Sequence, residues 1–598
     1  MKITGLDISK VPFSTRGSYM AVNYLESDYY SGYVSCTGFS TNLDKMPFVS
    51  TPGLYLRSVC TKGQNNNMEM ICFTPLYNGQ PVDYQIKADY GRIDMECSCG
   101  RVSFCFADDK LLLIEGKGKG IGLRLDCVIE GRSSFLVKIP LADGRFYHKL
   151  TNHISFDNYG IYTSEGHVDV RQEWEEDHLL NTACSYDITE QSGMFRCAVK
   201  ELRTYVWANA EKEGGQDFQT AESENRKAFE LFCRKMPDVD EKYKQAQRLA
   251  AYLCWSGAVS PRGYLKRETV FMTKNILCMV WAYESWLVAA GLWQAEPELA
   301  YDQLMTMLDS QDELGGIPNF KGDGMESYEA SMPPNLGWIV QKMMEKNPFS
   351  RVQMEELYSK MRDYTWFYLN HMDEDGDGVF EYHHGYDACG DDDTVFRNEL
   401  NISSPDLTTW LILQMDCLAD LAEKLDKTVE SVQWKQLADR SLRGLIDVLF
   451  DEKGMPFAKN NVTGERIYAK SPILFTPLML GERLPENIRE AIINEIKTGN
   501  YITDYGIASE ALDSPYYQAD GFFRGPVWFT MNLTTIEGLK QCGEKEMADE
   551  LAVKYCDVIC REGCAECYNA QTGKALNNKG YISTAGTFLI LLHYYINQ

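Results

Sequence analysis

The stretch QTAESENRKAFELFCRKMPD, residues 219–238, divides the chain into two parts of different character. Its apolar residues recur at helical spacing and Pro237 stops the run. Ahead of it, short segments alternate apolar and polar residues: SGYVSCTGF (31–39), VDYQIKADY (82–90), GRIDMECSC (91–99), RVSFCFA (101–107), SSFLVKIPL (133–141) and MFRCAVKELRTYVWA (194–208). Gly, Asn and Asp separate them, as turns require. Many short strands without a helical period predict an antiparallel β-sandwich over residues 1–215, with 216–239 as a linker helix.

Beyond the divide the pattern is helical. Helices are predicted over 240–256, 277–291, 296–310, 333–346, 351–371, 406–425, 431–451, 470–480, 485–498, 525–541, 545–561 and 583–597. A set of about twelve suits a closed double ring of six hairpins or an open solenoid. A solenoid repeats its sequence at a period of about 20–50 residues, and no repeat is present. Unequal loops rich in Gly, Asp and Asn, at 311–332 and 372–404, also favour the ring. The expected fold is therefore a multidomain α and β chain: an N-terminal antiparallel β-sandwich followed by an (α/α)6 toroid over 240–598.

Composition narrows the function. A chain of 598 residues needs more than one core. Its 86 acidic and 59 basic residues give a net charge of -27, which repels phosphate backbones and anionic lipid. No nucleic-acid or membrane partner is expected; a small neutral or cationic substrate fits better. The sequence leaves the oligomeric state open. The start, MKITGLDISKVPFS, lacks the apolar run of a signal peptide, and no stretch is apolar enough for a membrane span. The 19 cysteines, scattered and odd in number, fit reduced thiols, so a cytoplasmic location is expected.

Chemistry concentrates in MDEDGDGVFEYHHGYDACGDDDTVFRN, residues 372–398. Asp387, Asp391, Asp392 and Asp393 crowd its second half. Crowded carboxylates cannot all ionise freely, so at least one is held protonated, as a general acid must be. The plainer reading is a solvated acidic loop, but Tyr382, His383, His384, Tyr386 and Phe396 are unusual company for one. A second carboxylate, Glu566, stands just past a helix in EGCAECYNAQTGKALNNKGYISTAG; alone it is a weak signal. The first half of the loop matches a calcium loop: Asp373, Asp375 and Asp377 at positions 1, 3 and 5, Gly378 at the turn, Glu381 at 9. His384 stands where an EF-hand has its bidentate Glu, so this is no EF-hand, and a metal-free Asp/Gly-rich turn is the alternative. GKGKGIG (116–122) reads as a strand turn, and Cys556, Cys560, Cys564 and Cys567 as packing rather than a zinc site.

Seven stretches together resemble family 63 glycoside hydrolases and the related mannosylglycerate and glucosylglycerate hydrolases. They are FMTKNILCMVWAYESW (271–286), LDSQDELGGIPNF (308–320), PPNLGW (333–338), GYDACGDDDTVF (385–396), SPDLTTWLILQMDCLADLAEKL (404–425), FFRGPVWFTMN (522–532) and ECYNAQTG (566–573). They follow the family's order. The resemblance implies an inverting hydrolase of short α-glycosides acting from the non-reducing end, with Asp391 as general acid and Glu566 as general base. It places Arg524 and Trp528 along the cleft, and Lys274, Trp281 and Glu284 near the terminal sugar. Tyr283, Tyr386, Asp387, Asp392 and Tyr568, inside the same motifs, complete the expected substrate contacts. No cofactor is implied for catalysis; a structural Ca2+ on Asp373, Asp375, Asp377 and Glu381 is. The chain departs from the family pattern at Tyr283-Glu284, at Ala388-Cys389-Gly390 and at Asp392, positions that bear on which sugar fits. A trehalase- or rhamnosidase-like hydrolase on the same toroid and a non-catalytic carbohydrate-binding protein are the competing readings.

Overall fold

The computed structural model describes residues 2–26, 51–60, 69–128, 135–152, 157–174 and 181–596. The strand expected over 31–39 lies outside the described residues. The chain forms two compact units: Met1–Arg234 with Trp255–Arg262 and Thr273–Cys278, and Lys235–Cys254 with Gly263–Met272 and Met279–Gln598.

The first unit is the expected sandwich of two sheets. In space the nine-stranded sheet runs Ile3–Gly5, Tyr84–Ala88, Ile93–Cys97, Gly100–Asp108, Leu111–Lys117, Met194–Glu201, Asp157–Glu165, Phe146–Asn152 and Phe135–Pro140. All neighbours are antiparallel except the first pair, where Ile3 stands beside Ile86 in parallel register. The second sheet is built on Met20–Leu25, Gly53–Ser58, Glu69–Tyr77, Ile121–Cys127, Asn181–Thr189 and His167–Trp174. Alternation sorts side chains between faces. Leu112 and Ile114 join Leu123, Leu125, Phe73 and Phe104 in the core between the sheets. Leu111 and Leu113, on the opposite face, pack with Tyr147, Tyr162, Trp207 and Phe218.

That outer face explains a correction to the expected boundary. Residues 216–239, expected as a linker, contain helix α1, Phe218–Arg234, which lies on the nine-stranded sheet rather than bridging two domains. It buries Phe218, Ala221, Phe229 and Phe232, with Tyr90 and Phe229 ring centroids 5.0 Å apart. Glu222 pairs with Arg92 at 3.1 Å.

The second unit contains helices α2 (Glu241–Gly257, its last turn in the first unit), α3 (Ala282–Leu292), α4 (Pro297–Met305), α5 (Leu336–Lys346), α6 (Arg351–His371), α7 (Pro405–Lys424) and α8 (Thr428–Leu449). A 3-10 segment, Pro472–Arg483, then α9 (Glu486–Thr498), α10 (Phe529–Gln541), α11 (Lys545–Glu562) and α12 (Ile582–Leu591) follow. The expected 470–480 helix is 3-10 because Pro477 interrupts it and Gly481 (φ 54°) kinks its end. Six elements form a closed inner ring: α3 on α5, α5 on α7, α7 on the 3-10 segment, that segment on α10, α10 on α12, and α12 back on α3. α4, α6, α8, α9 and α11 pack outside them. Inner helices are buried all round, as in α3 and α12, whereas outer α9 buries only Ile488, Ile492 and Ile496, one stripe. Closure depends on Gly291 of α3, where a Cβ would lie 2.7 Å from the Gly586 carbonyl of α12. This is the (α/α)6 arrangement. No described helix is long and apolar enough to cross a membrane.

Candidate active site

The loop 383–396 carries four aspartates, and the fold gives each a different neighbourhood. Asp387 is a brace: its carboxylate accepts from the backbone N–H of Ser331 (2.9 Å), His383 (2.8 Å) and His384 (3.1 Å). Asp393 is another, accepting from Val395 N–H at 3.0 Å and from the Ser471 hydroxyl. Asp392 accepts from Phe523 N–H at 2.6 Å and from Arg524 Nε at 2.9 Å, tying the loop to 522–528. Gly385 lets the loop fold onto itself, since a Cβ there would lie 1.9 Å from the Asp391 carbonyl.

Asp391 is left facing other carboxyls. Burial, the charges of Glu284 and Asp392, and that of Glu566 hold its carboxyl protonated well above the usual range. Glu284 lies in the first turn of α3, directly after the strand Val280–Trp281. Burial and the charge of Glu566 push it up to about 7, and its buried Oε2 has no hydrogen-bond partner among the described residues. Glu566 is on the strand Ala565–Tyr568, held between Val527–Trp528 and Ala575–Lys579. It is 2% exposed. Its Oε2 accepts from Asn578 N–H (3.2 Å) and Nδ2 (3.3 Å). Burial raises Glu566 to about 7 against those hydrogen bonds and the Lys579 charge. Asp391, Glu284 and Glu566 thus lie within electrostatic reach of one another, and Asp392, which also raises Asp391, is tied to Arg524 at 2.9 Å.

The other expected contacts fall into distinct places. Trp281 rests against Phe320, centroids 5.1 Å apart. Tyr386 is 37% exposed and its phenol is raised by burial and by the Asp391 and Asp392 charges, so it stands close to the acidic pair. Trp528 is buried: Phe523 stacks on it at 4.1 Å and its Nε1 donates to the Phe522 carbonyl at 2.6 Å. The Tyr568 hydroxyl is engaged by Gly563 O (2.6 Å) and Ala565 N–H (3.1 Å), which fixes the start of the Glu566 strand. Tyr283 lies edge-on to Trp410 and lines a cavity of about 20 Å³ with Asp406, Cys389 and Thr530. Lys274 belongs to the first unit, so it is not among the groups the second unit gathers. There its ammonium donates to Ser18 O (2.6 Å) and Ser14 Oγ (3.1 Å), and burial lowers it to about 7.

The calcium-like loop brings carboxylate oxygens of Asp373, Asp375 and Asp377 within 4.8 Å of one another, a donor set that fits a hard divalent cation. Glu381 is turned to the loop backbone, accepting from Glu374 N–H at 3.1 Å. Lys459 supplies a positive charge from outside the motif, 3.1 Å from Asp375 and 2.9 Å from Asp377.

Sequence reading missed the supports: Asn578 under Glu566, Ser471 under Asp393, and Asp406, whose carboxylate accepts from Tyr382 at 2.7 Å. Only Asp406 left a trace, a carboxylate after Ser404-Pro405 at a helix start.

The region 278–584 matches the mannosylglycerate hydrolase MGH1-like glycoside hydrolase domain. A mannosylglycerate hydrolase of Selaginella moellendorffii is 24% identical over 399 residues, 53% of this chain and 81% of that protein. The mannosylglycerate hydrolase of Thermus thermophilus is 29% identical over 146 residues, 24% of this chain and 35% of its own. Among solved structures, a family 63 mannosylglycerate hydrolase of Thermus thermophilus in complex with glucose superposes with a TM-score of 0.52 at 19% identity, over 57% of this chain and 99% of that one. A bacterial glucoamylase complexed with acarbose matches the fold along 99% of this chain and 94% of its own, TM-score 0.61 at 10% identity. The chain belongs to the mannosylglycerate hydrolase MGH1-like glycoside hydrolase family.

Proposed function

We propose that this enzyme hydrolyses short α-glycosides from their non-reducing end with inversion. Asp391 donates a proton to the leaving oxygen, and Glu566 takes one from the attacking water. The observation that supports this reading is the coupling of two buried carboxyls: Asp391 is raised well above the usual range by burial and by neighbouring charges that include Glu566, and burial raises Glu566 itself to about 7. An acid that retains its proton and a base that is ionised above neutrality are the two states a single displacement requires. Such a reaction uses carboxyls about 6.5–9.5 Å apart, with a water between them. Glu284 Oε2, a buried acceptor without a donor, would receive a sugar hydroxyl. Trp281 and Tyr386 offer flat faces at the rim, and Arg524, held by Asp392, shapes the wall.

Mannosylglycerate, glucosylglycerate and α-glucosides are the substrates to offer first, since relatives are named for the first of these. A structural Ca2+ would sit on Asp373, Asp375 and Asp377, displacing Lys459 and taking no part in the chemistry. Melting temperatures with calcium and with chelator test it; equal values refute it. The free thiols of all described cysteines support a cytoplasmic location. The decisive variants are Asp391→Asn and Glu566→Gln, each expected to lower kcat by about 10²–10⁴-fold with the fold unchanged. Full activity in both would refute the mechanism.

A further inference from the structure

The hairpin turn Ser98-Cys99, between strands Ile93–Cys97 and Gly100–Asp108 in the first unit, sets two thiols side by side. Cys97 Sγ and Cys99 Sγ are 3.3 Å apart, and both residues are partly exposed. Their other contacts are weak: Cys97 Sγ reaches Gly100 O at 3.3 Å, and Cys99 Sγ reaches Leu76 O at 3.8 Å. The backbone around them is pinned. A Cβ on Gly100 would lie 2.2 Å from Lys117 O, and one on Gly118 would lie 2.1 Å from Cys99 O. Forming a disulfide would bring the two sulfurs from 3.3 Å to about 2.05 Å. Cys127 and Cys184 also face each other across strands, but both are buried, so no reagent reaches them.

We propose that Cys97 and Cys99 form a reversible disulfide site, closed by exchange with a low-molecular-weight disulfide such as oxidised glutathione. The thiolate of one cysteine attacks a sulfur of the reagent, forming a mixed disulfide and expelling one thiolate. The second cysteine, deprotonated, attacks the protein sulfur of that mixed disulfide and expels the other half. Two protein thiols are oxidised, one reagent disulfide is reduced to two thiols, and the two cysteine protons end on those products. A ring closed across one intervening residue removes little chain entropy, so the bond is readily reduced again rather than a permanent staple. Burial and the hydrogen bond with Cys97 push the Cys99 thiol up to about 11, so exchange is slow at neutral pH and faster in alkali.

Trypsin cuts after Arg92 and Arg101, giving a peptide, IDMECSCGR, with both cysteines and no other. The full-length native protein is treated with oxidised glutathione, blocked with iodoacetamide and digested. The expected peptide is lighter by two hydrogens, carries no alkyl group, and returns to a doubly alkylated form after dithiothreitol. In Cys99→Ser, Cys97 is expected to stop at the mixed disulfide with glutathione. A wild-type peptide alkylated at both cysteines, or one that keeps glutathione, would overturn the proposal.

Discussion

Glu284 is the residue whose chemistry separates this group of acids from a simple pair of carboxyls. Its charge is the largest electrostatic influence on Asp391 after burial itself. Replacing it with Gln removes a negative neighbour, so Asp391 ionises more easily. Under the proposed mechanism, kcat/KM follows the fraction of enzyme with Glu566 ionised and Asp391 protonated. The acid limb of the wild type is expected at about 7 from Glu566. Glu284→Gln should move the alkaline limb to lower pH, and an unmoved limb would detach Glu284 from the acid. Asp391 and Glu566 could be named as the proposed acid and base from sequence only through motifs that follow the family's order; crowding alone did not set one aspartate of the loop apart from the others. Their partners do that: backbone amides for Asp387, Ser471 for Asp393 and Arg524 for Asp392, contacts set by segments far away in the chain.

At the scale of elements, the loop 383–396 works because it is braced at several points. Asp387→Ala leaves three backbone N–H groups without their acceptor, at a cost of about 1–3 kcal/mol for each one buried. The variant should melt lower and lose kcat more than it raises KM; unchanged kcat would show that the brace is not needed for the acid's position. The inner ring has a similar dependence at Gly291, where a side chain meets the backbone of α12. Gly291→Val should lower stability by about 1–3 kcal/mol in a denaturant titration, as overpacked sites do. The helices were legible because apolar periodicity is strong in them. The boundary helix α1 was misplaced because its amphipathic stripe shows that it packs on something, and not that the partner is the outer face of the sheet.

For the whole molecule, the buried carboxyls couple the site to stability. Glu284 and Glu566 are raised to about 7 when folded, above the ordinary Glu value of 4.5, and Asp391 is raised well above its own ordinary value. A group raised in this way stabilises the fold fully below its unfolded pKa. That contribution is lost as pH rises through the folded value. The wild type should therefore lose stability between about pH 4.5 and 7 through these groups. Asp391→Asn and Glu284→Gln should melt higher than wild type at pH 8 and show no such gain at pH 4. The two-part architecture was readable from the switch in hydrophobic period near residue 216. The pairing of distant strands into two sheets was not, since register depends on long-range contacts that no local pattern records.

The proposed single displacement between Asp391 and Glu566 is tested most directly by the anomer of the first sugar released. Proton NMR following an α-glycoside substrate from the first turnovers should show the β-anomer appearing first and then mutarotating. Initial appearance of the α-anomer would mean that a carboxylate attacks the sugar itself, and would contradict the assignment of Glu566 as the base that activates water.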